Sequence, residues 1–201
     1  ISNYCKNNNI KFVFWLQDII SIAAKSILTH KIGLLGKIIG AVFKSIEKDV
    51  LQSSDHIITI SDDFIDTISE WGLNTGKTTV IPNWAPIEQI PVLPKINPFS
   101  QKYKIDNKFI VLYSGTMGMK HNPYIISQAA KNLQANSDII FVVITDGIGM
   151  DILKREKVSF NLDNLLLLPF QPFESFPQVL ASADALLTLL EEDAGVFSVP
   201  S

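Results

Sequence analysis

The residues best suited to chemistry form one short loop. A run of apolar residues, 109–113, leads into it, and Asn122 and Pro123 follow it. The loop consists of Ser114, Gly115, Thr116, Met117, Gly118, Met119, Lys120 and His121. Glycines let backbone N–H groups approach an anion closely, and a helix start adds a partial positive charge. Lys120 would supply the full charge that a diphosphate needs. The loop predicts a diphosphate site; a plain strand-to-helix loop is the alternative.

Several other site types do not fit this sequence. No Gly-Lys-Ser/Thr follows the loop, so it is not a Walker motif, and no strand leads into the full dinucleotide fingerprint. An NAD-dependent dehydrogenase is therefore disfavoured. The three histidines, His30, His56 and His121, are scattered, with no Cys/His cluster and no Asp-x-Asp. We expect neither a metal nor any other cofactor.

The elements that must position this loop follow an α/β pattern. Short apolar runs predict strands at 10–16, 56–60, 78–81, 109–113, 139–145, 165–168 and 185–190. Runs that are apolar throughout are typical of parallel sheets with both faces covered. Helical patterns lie between them, including an apolar face from Leu35 to Val50 and a helix beginning near Pro123. The sequence predicts an α/β fold.

A proline-rich stretch interrupts this alternation. It runs from Pro82 to about Ser100 and also contains Pro86, Pro91, Pro94 and Pro98. Such a stretch can form neither a helix nor a central strand, and it is typical of a connector between domains. We therefore predict two part-domains, residues 1–92 and 93–201, with the linker starting near 82.

The net charge and the cysteine content limit the class of protein and its cellular compartment. A net charge of −3 over 201 residues disfavours a general nucleic-acid binder. A single cysteine, Cys5, excludes an internal disulfide framework and suits the cytoplasm. The chain lacks an initiator Met and ends just after an apparent active-site loop, so we interpret it as a fragment.

One segment differs in charge from the rest. Residues 19–48 carry five lysines (Lys25, Lys31, Lys37, Lys44 and Lys48) and a single acid, Glu47, among many Ile and Leu residues. The segment is therefore +4, from five positive charges and one negative. A cationic, apolar helix pair suits an anionic inner membrane leaflet. A helix pair packed on the sheet with solvated lysines is the alternative.

An ordered series of short motifs resembles a known family. The motifs lie at 55–61, 80–84, 113–115, 145–147, 164–169, 183–185 and 198–201. In order and spacing they resemble the retaining glycosyltransferases of family 4, which have the GT-B fold, and in particular the bacterial colanic-acid and amino-fucose transferase branch. The resemblance implies two Rossmann-like domains, both incomplete here: an acceptor-side domain and a donor domain that binds a nucleotide sugar. It also implies a role in surface polysaccharide synthesis.

The resemblance assigns donor-binding roles residue by residue. The diphosphate loop corresponds to Ser114, Gly115, Thr116, Gly118, Lys120 and His121. Asp146 and Gly147 match a turn lining the nucleotide pocket, although the family commonly has Gly where Thr145 stands. The segment facing the base corresponds to Phe170, Gln171 and Pro172. The donor-sugar loop corresponds to Glu191, Glu192, Ser198 and Val199.

The resemblance also implies the catalytic residues and the mechanism. Asp18 would hydrogen-bond the acceptor hydroxyl and Gln17 would orient the sugar; an N-cap for the following helix is an alternative or additional role for Asp18. Lys120 and one of Glu191 and Glu192 complete the expected catalytic set. The departing diphosphate would help take the acceptor proton, and a lipid-linked saccharide is the expected acceptor. A sugar-nucleotide epimerase and a non-catalytic nucleotide-sugar-binding partner subunit are the alternatives.

Overall fold

The structure is a computed structural model that describes residues 1–118 and 121–189. Its internal contacts divide the described chain into two compact units, Ile1–Trp84 and the residues from Ala85 onward. Each unit contains its own parallel sheet with helices, which confirms the predicted α/β class. The assignment of 1–92 to an acceptor-side domain and of 93–201 to a donor domain stays a prediction.

The first unit has a parallel sheet of three strands in the order β1-β2-β3. The strands are β1 (Val13–Leu16), β2 (His56–Thr59) and β3 (Thr78–Val80). The helices are α1 (Ser2–Asn7), α2 (Ile20–Ile32), α3 (Leu34–Ser53) and α4 (Asp63–Glu70), and a 3₁₀ turn covers Thr75–Lys77. Leu16, Ile57, Phe64 and Ile68 are buried in its core.

Helices α2 and α3 pack closely as a hairpin. A Cβ atom on Gly36 would lie 2.1 Å from the backbone oxygen of Leu28, and one on Gly40 would lie 2.6 Å from Lys25 Cβ. Only glycine permits so close an approach of the two backbones. The Glu47 carboxylate of α3 accepts hydrogen bonds from the amides of Ile20 and Ser21, at 2.8 and 3.1 Å.

This contact replaces the N-cap considered for Asp18. The N-cap position of α2 is Ile19, and no side chain from that position caps the helix. The acceptor for the first amides of α2 comes instead from Glu47, one helix later. The N-cap reading of Asp18 is therefore wrong, and the single acid of the basic segment is occupied in holding the hairpin together.

The second unit has a parallel sheet of four strands in the order β6-β5-β4-β7. The strands are β4 (Phe109–Ser114), β5 (Ile139–Ile144), β6 (Leu165–Leu168) and β7 (Ala185–Leu186). The helices are α5 (Pro98–Lys102), α6 (Pro123–Asn132), α7 (Ile148–Phe160) and α8 (Phe176–Ala181), with 3₁₀ turns at Ile87–Gln89 and Phe173–Ser175. Two separate apolar clusters, one containing Tyr113 and Phe141 and the other Leu112 and Val142, pack the sheet.

Three predictions differ from the structure by more than one residue at a strand end or in the type of element. Pro98 does not lie in an extended linker; it occupies the first turn of α5, where its missing N–H costs nothing, and Asn97 caps that helix. The strand predicted at 10–16 begins at Val13, because the amide of Phe12 bonds the Asp55 carboxylate. The strand predicted at 185–190 is Ala185–Leu186 among the described residues.

An ion pair ties the start of the second unit to its sheet. Lys95 Nζ lies 2.5 Å from Asp184 Oδ2 and 2.8 Å from the backbone oxygen of Lys108. The same carboxylate oxygen accepts the Ile110 amide at 2.7 Å. Burial alone would raise the pKa of Asp184, but the Lys95 and Ile110 hydrogen bonds outweigh it and hold that pKa below its ordinary value.

Candidate functional site

Three strands of the second unit end at one level. Ser114 pairs with Ile144, and Ile144 pairs with Leu168, so β4, β5 and β6 all terminate in the same row. Hydrogen bonds carry the ladder one residue further, from the Gly115 amide to Ile144 O at 3.0 Å and from the Thr145 amide to Leu168 O at 3.2 Å. The three predicted donor segments therefore leave the sheet side by side at its carboxyl edge, where α/β proteins place ligands.

A cavity of about 240 Å³ lies at this edge. Its lining includes four residues predicted for donor binding: Ser114, Gly115, Phe170 and Gln171. Ile144, Phe176 and Val179 complete the lining. Aromatic and aliphatic side chains beside a few amide and hydroxyl groups suit a flat, partly polar ring. Thr116, Gly118, His121, Asp146, Gly147 and Pro172 lie on the same three loops but do not line the cavity.

The glycine-containing loop is anchored from below. The Met117 side chain is buried in the cluster that also contains Tyr113 and Ile126. The Tyr113 hydroxyl donates to the backbone oxygen of Thr116 at 3.1 Å, and burial raises the pKa of that hydroxyl. The buried Met117 side chain and the Tyr113 hydrogen bond thus hold the loop on the core, although Thr116 and Gly118 are exposed at its surface.

His121 closes a turn at the far side of this loop. Its Nδ1 accepts the Gly118 amide at 3.1 Å, and its own amide bonds Gly118 O at 3.2 Å. A ring nitrogen that accepts must be unprotonated, so the proton of the neutral ring lies on Nε2. The ring also meets Tyr113 edge-on, with centroids 6.4 Å apart. Lys120, the predicted diphosphate cation, lies outside the described residues.

The turn after β5 requires a glycine. Gly147 has φ +83° and ψ −156°, a conformation that is essentially restricted to glycine. The Asp146 carboxylate accepts the Gly147 amide at 2.7 Å. Thr145, which stands where the resembled family commonly has glycine, is buried. Helix α7 begins directly after this turn, so its positive end is at the carboxyl edge.

Helix α6 also begins at this edge, after the glycine-containing loop. Asn122 caps it by accepting the Tyr124 amide at 3.1 Å, and Pro123 occupies its first position. Two helix N-termini and a glycine-containing loop therefore converge on one edge, an arrangement that favours a phosphate group.

The remaining predicted site residues lie elsewhere. Gln17 and Asp18 follow β1 in the first unit, and both are exposed. Glu191, Glu192, Ser198 and Val199 lie outside the described residues. Within the described ranges, no group of three or more His, Cys, Asp and Glu side chains is arranged to hold a metal ion.

Sequence reasoning missed the residues that support this site. Phe176 and Val179 line the cavity from α8, and Gly149 accommodates the Met117 side chain. No local motif identifies these contacts, because the partners come from separate elements. Pro123 was the exception, since a proline in the first turn is a recognised signal for the start of a helix.

The chain contains two α/β units, each with a parallel sheet. This fold is that of the GT-B glycosyltransferases. The chain superposes on Alr3699/HepE from Anabaena, solved in complex with UDP and glucose, with a TM-score of 0.73 at 15% identity, over 92% of this chain and 48% of that one. It also superposes on sucrose-phosphate synthase from Thermosynechococcus elongatus with a TM-score of 0.59 at 15% identity, over 73% of this chain and 37% of that one.

A curated relative agrees with the branch that the motifs indicated. The chain is 26% identical over 177 residues to the "Putative colanic acid biosynthesis glycosyl transferase WcaI" of Escherichia coli K12. The match covers 85% of this chain and 43% of that protein, so the chain spans less than half the length of this relative. No protein-family model matches the chain. The predicted resemblance to the colanic-acid branch is confirmed.

Proposed function

We propose that the protein is a glycosyltransferase that moves a sugar, with retention of configuration, from a nucleoside-diphosphate donor to a saccharide acceptor. The observation that carries this proposal is the common end of β4, β5 and β6 at Ser114, Ile144 and Leu168. At this edge the loops after β4 and β6 line a cavity, and helices α6 and α7 begin. The similarity to WcaI and to a structure solved with UDP and glucose supports the same reading.

Each part of the donor has a matching part of this edge. The flat base fits the cavity between Phe170, Gln171 and Phe176. We expect the diphosphate to lie at the glycine-containing loop, with the two helix starts and Lys120 supplying positive charge. The donor sugar would then extend toward Glu191 and Glu192, the residues assigned to it by the resemblance. No metal is needed in this arrangement, because amides and Lys120 supply the positive charge.

The proposed reaction is a same-face substitution. The bond between the anomeric carbon and the diphosphate oxygen breaks, and a bond from the acceptor hydroxyl oxygen forms on that same face. The hydroxyl proton passes to the departing diphosphate, so no pair of enzyme carboxylates is required. Asp18 would orient the acceptor hydroxyl and Gln17 the sugar. Lys120 and the loop amides would stabilise the charge that develops on the diphosphate.

We further propose that the acceptor is lipid-linked and that the α2–α3 hairpin binds the inner face of an anionic membrane, as part of surface polysaccharide synthesis. Leu35, Ile38, Val42 and Ile46 recur at helical spacing on α3 and are all more than half exposed. Glu47, the single acid of this segment, is engaged by backbone amides, whereas Lys25, Lys31 and Lys37 are exposed. An exposed apolar stripe on α3, together with exposed lysines on the same hairpin, suits an anionic bilayer surface. In the described ranges, no helix is long and apolar enough to cross a membrane.

Calorimetric titration of the full-length protein with UDP and with GDP, in the presence of EDTA, tests the donor site. We expect at least one nucleotide to bind without metal. Gly115→Asp should abolish binding, because a carboxylate on the glycine-containing loop repels the diphosphate and its side chain enters the adjoining cavity. Gly76→Asp, a matched change in an exposed turn of the first unit, should not.

NMR spectroscopy of the product determines its anomeric configuration and so tests the reaction itself. A glycoside with the anomeric configuration of the donor supports the proposal. Conversion of the donor to an epimer without an acceptor, or nucleotide binding that requires a divalent metal, would contradict it.

A further inference from the structure

Two exposed tryptophans of the first unit stack on each other. Trp15 belongs to β1 and Trp84 follows β3; their ring centroids are 6.0 Å apart and their planes differ by 3°. Trp15 is 44% exposed and Trp84 is 71% exposed. The third tryptophan, Trp71, is buried in the same unit. Large aromatic side chains held together outside the core are typical of a binding surface.

The stack lies at the carboxyl edge of the first sheet. Trp15 is one residue before the last pair of β1 and β2, Leu16 with Thr59. The β3 ladder extends through the Ile81 amide, which bonds Thr59 O at 2.8 Å, and Trp84 follows three residues later. In α/β proteins this edge is where ligands bind.

The pair has an asymmetric geometry. Parallel stacking with Trp15 covers part of the Trp84 indole and restricts its plane, while most of the Trp84 surface remains exposed. A ring held in one orientation before a ligand arrives loses less freedom on binding. Trp84 is therefore suited to contact a ligand, and Trp15 to position Trp84.

The polar residues next to the two tryptophans in sequence suit a sugar as the ligand. Gln17 and Asp18 follow Trp15 in sequence, Asn83 precedes Trp84, and all three are exposed. A pyranose ring has one face of C–H groups, which pack on an aromatic face, and a rim of hydroxyls that bond amides and carboxylates. We propose that Trp84, backed by Trp15, is a stacking platform for a hexopyranose residue of the acceptor. This inference rests on the proposed function, which supplies a saccharide acceptor.

The platform is tested without donor or transfer. The full-length protein is labelled with 5-fluorotryptophan, and the ¹⁹F resonances of Trp15, Trp71 and Trp84 are assigned by the signals lost in their Phe variants. Methyl β-galactopyranoside and lactose are then titrated, with glycerol as the control solute. We expect the Trp84 resonance to shift saturably with the sugars and not with glycerol, while the Trp71 resonance stays in place.

Variants separate contact from positioning. Trp84→Ala should abolish sugar binding detected by saturation transfer, and Trp84→Phe should retain part of it. Trp15→Ala should weaken binding by up to roughly tenfold, and Trp15→Phe, which keeps a stacking ring, should restore it. Ile87→Ala, another exposed apolar residue of the connector, should have no effect. A Trp15→Phe variant as weak as Trp15→Ala would overturn the positioning role.

The outcomes also separate this inference from the donor site. Normal UDP or GDP binding with an unresponsive Trp84 resonance would overturn the platform alone. A responsive resonance in a protein that binds no nucleotide would support the platform and contradict the proposed transferase. A response only to vesicles containing phosphatidylglycerol would make the pair a bilayer contact and overturn the inference.

Discussion

Met117 occupies the space that the absence of a side chain on Gly149 leaves open. A Cβ atom on Gly149 would lie 2.4 Å from Met117 Cγ and 2.7 Å from Met117 Cβ. Met117 is the buried anchor of the glycine-containing loop, and Gly149 is buried in the first turn of α7. The turn after β5 and the loop after β4 therefore share one packing contact, so a change in either should be transmitted to the other.

Gly149→Ala should displace Met117 and the loop above it. Overpacking of this kind costs about 1–3 kcal/mol of unfolding free energy, and nucleotide affinity should fall with it. Urea unfolding and calorimetric titration with UDP or GDP measure the two effects. In a Met117→Ala background the same substitution should cost less, because the clashing Cγ and Sδ atoms are gone and only the Cβ of residue 117 remains close. Additive costs in that double-mutant cycle would contradict the coupling.

Gly147→Ala should destabilise the second unit through the backbone alone. No heavy atom lies within 4 Å of an added Cβ, so the cost comes from holding alanine at φ +83°, about 1–3 kcal/mol. Gly118→Ala is the matched control, since its Cβ would also meet open space and its φ is not positive. Thermal unfolding should separate the two variants; equal melting temperatures would show that the turn adapts.

The ion pair of Lys95 and Asp184 should make the free energy of unfolding depend on pH in the acid range. The folded pKa of Asp184 is below its unfolded value of 3.8. Its contribution is therefore complete above pH 3.8 and is lost as the pH falls through the folded pKa. Asp184→Asn should lower the free energy of unfolding at neutral pH, and this difference from wild type should shrink in that acid range. Asp151→Asn, which removes an exposed helical pair, should show little difference at any pH. A pH-independent difference for Asp184→Asn would exclude ionisation as the cause.

Membrane binding should depend on both components of the α2–α3 hairpin. Each lysine near an anionic surface contributes about 1 kcal/mol, so changing Lys25, Lys31 and Lys37 to Gln should lower vesicle partitioning by about 100-fold. Val42→Ser with Ile46→Ser should weaken it further by removing apolar contact. Co-sedimentation with phosphatidylglycerol vesicles at low salt measures both. Changing Lys102, Lys104 and Lys154 of the second unit is the control. Equal binding by all variants would favour packing of this face within the protein.

Lys120 should matter more to the leaving diphosphate than to the intact donor. Lys120→Ala should therefore lower turnover by roughly 10²-fold or more, a typical loss for one electrostatic stabiliser. Donor affinity should weaken less than turnover does. Comparison of kcat with calorimetric affinity separates these effects, and Lys104→Ala controls for loss of an exposed charge. Near-normal turnover would remove Lys120 from the catalytic set.

The sequence predicted the central strands well because their signal is local. The strand β6 matches its apolar run, Leu165–Leu168, and β5 differs from its predicted range only at its end. The family resemblance assigned Gly115, Phe170 and Gln171 to one donor site, and all three line one cavity. Because parallel strands all have their carboxyl ends at the same edge of the sheet, the loops that follow them must begin at that edge.

The contacts that the sequence did not reveal join distant elements. Glu47 caps α2 from 27 residues away, so no capping pattern near Asp18 could indicate it. The stack of Trp15 on Trp84 and the fit of Met117 over Gly149 depend on how separate elements pack. Such contacts depend on where the backbones of separate elements lie in the fold, which residue types alone do not specify. Sequence reasoning therefore identified the loops of the site but not the distant residues that pack against them.

Strands β4, β5 and β6 end in the same row, and this has a consequence for how donor specificity would evolve in the proposed transferase. Because Ser114, Ile144 and Leu168 fix a common starting row, each loop can vary in length or composition while the other two keep their anchor points. Under the proposed function, base preference would then reside largely in one exchangeable segment, residues 169–172. Transplanting that segment between relatives would be a compact route to a new donor, with the scaffold beneath it unchanged.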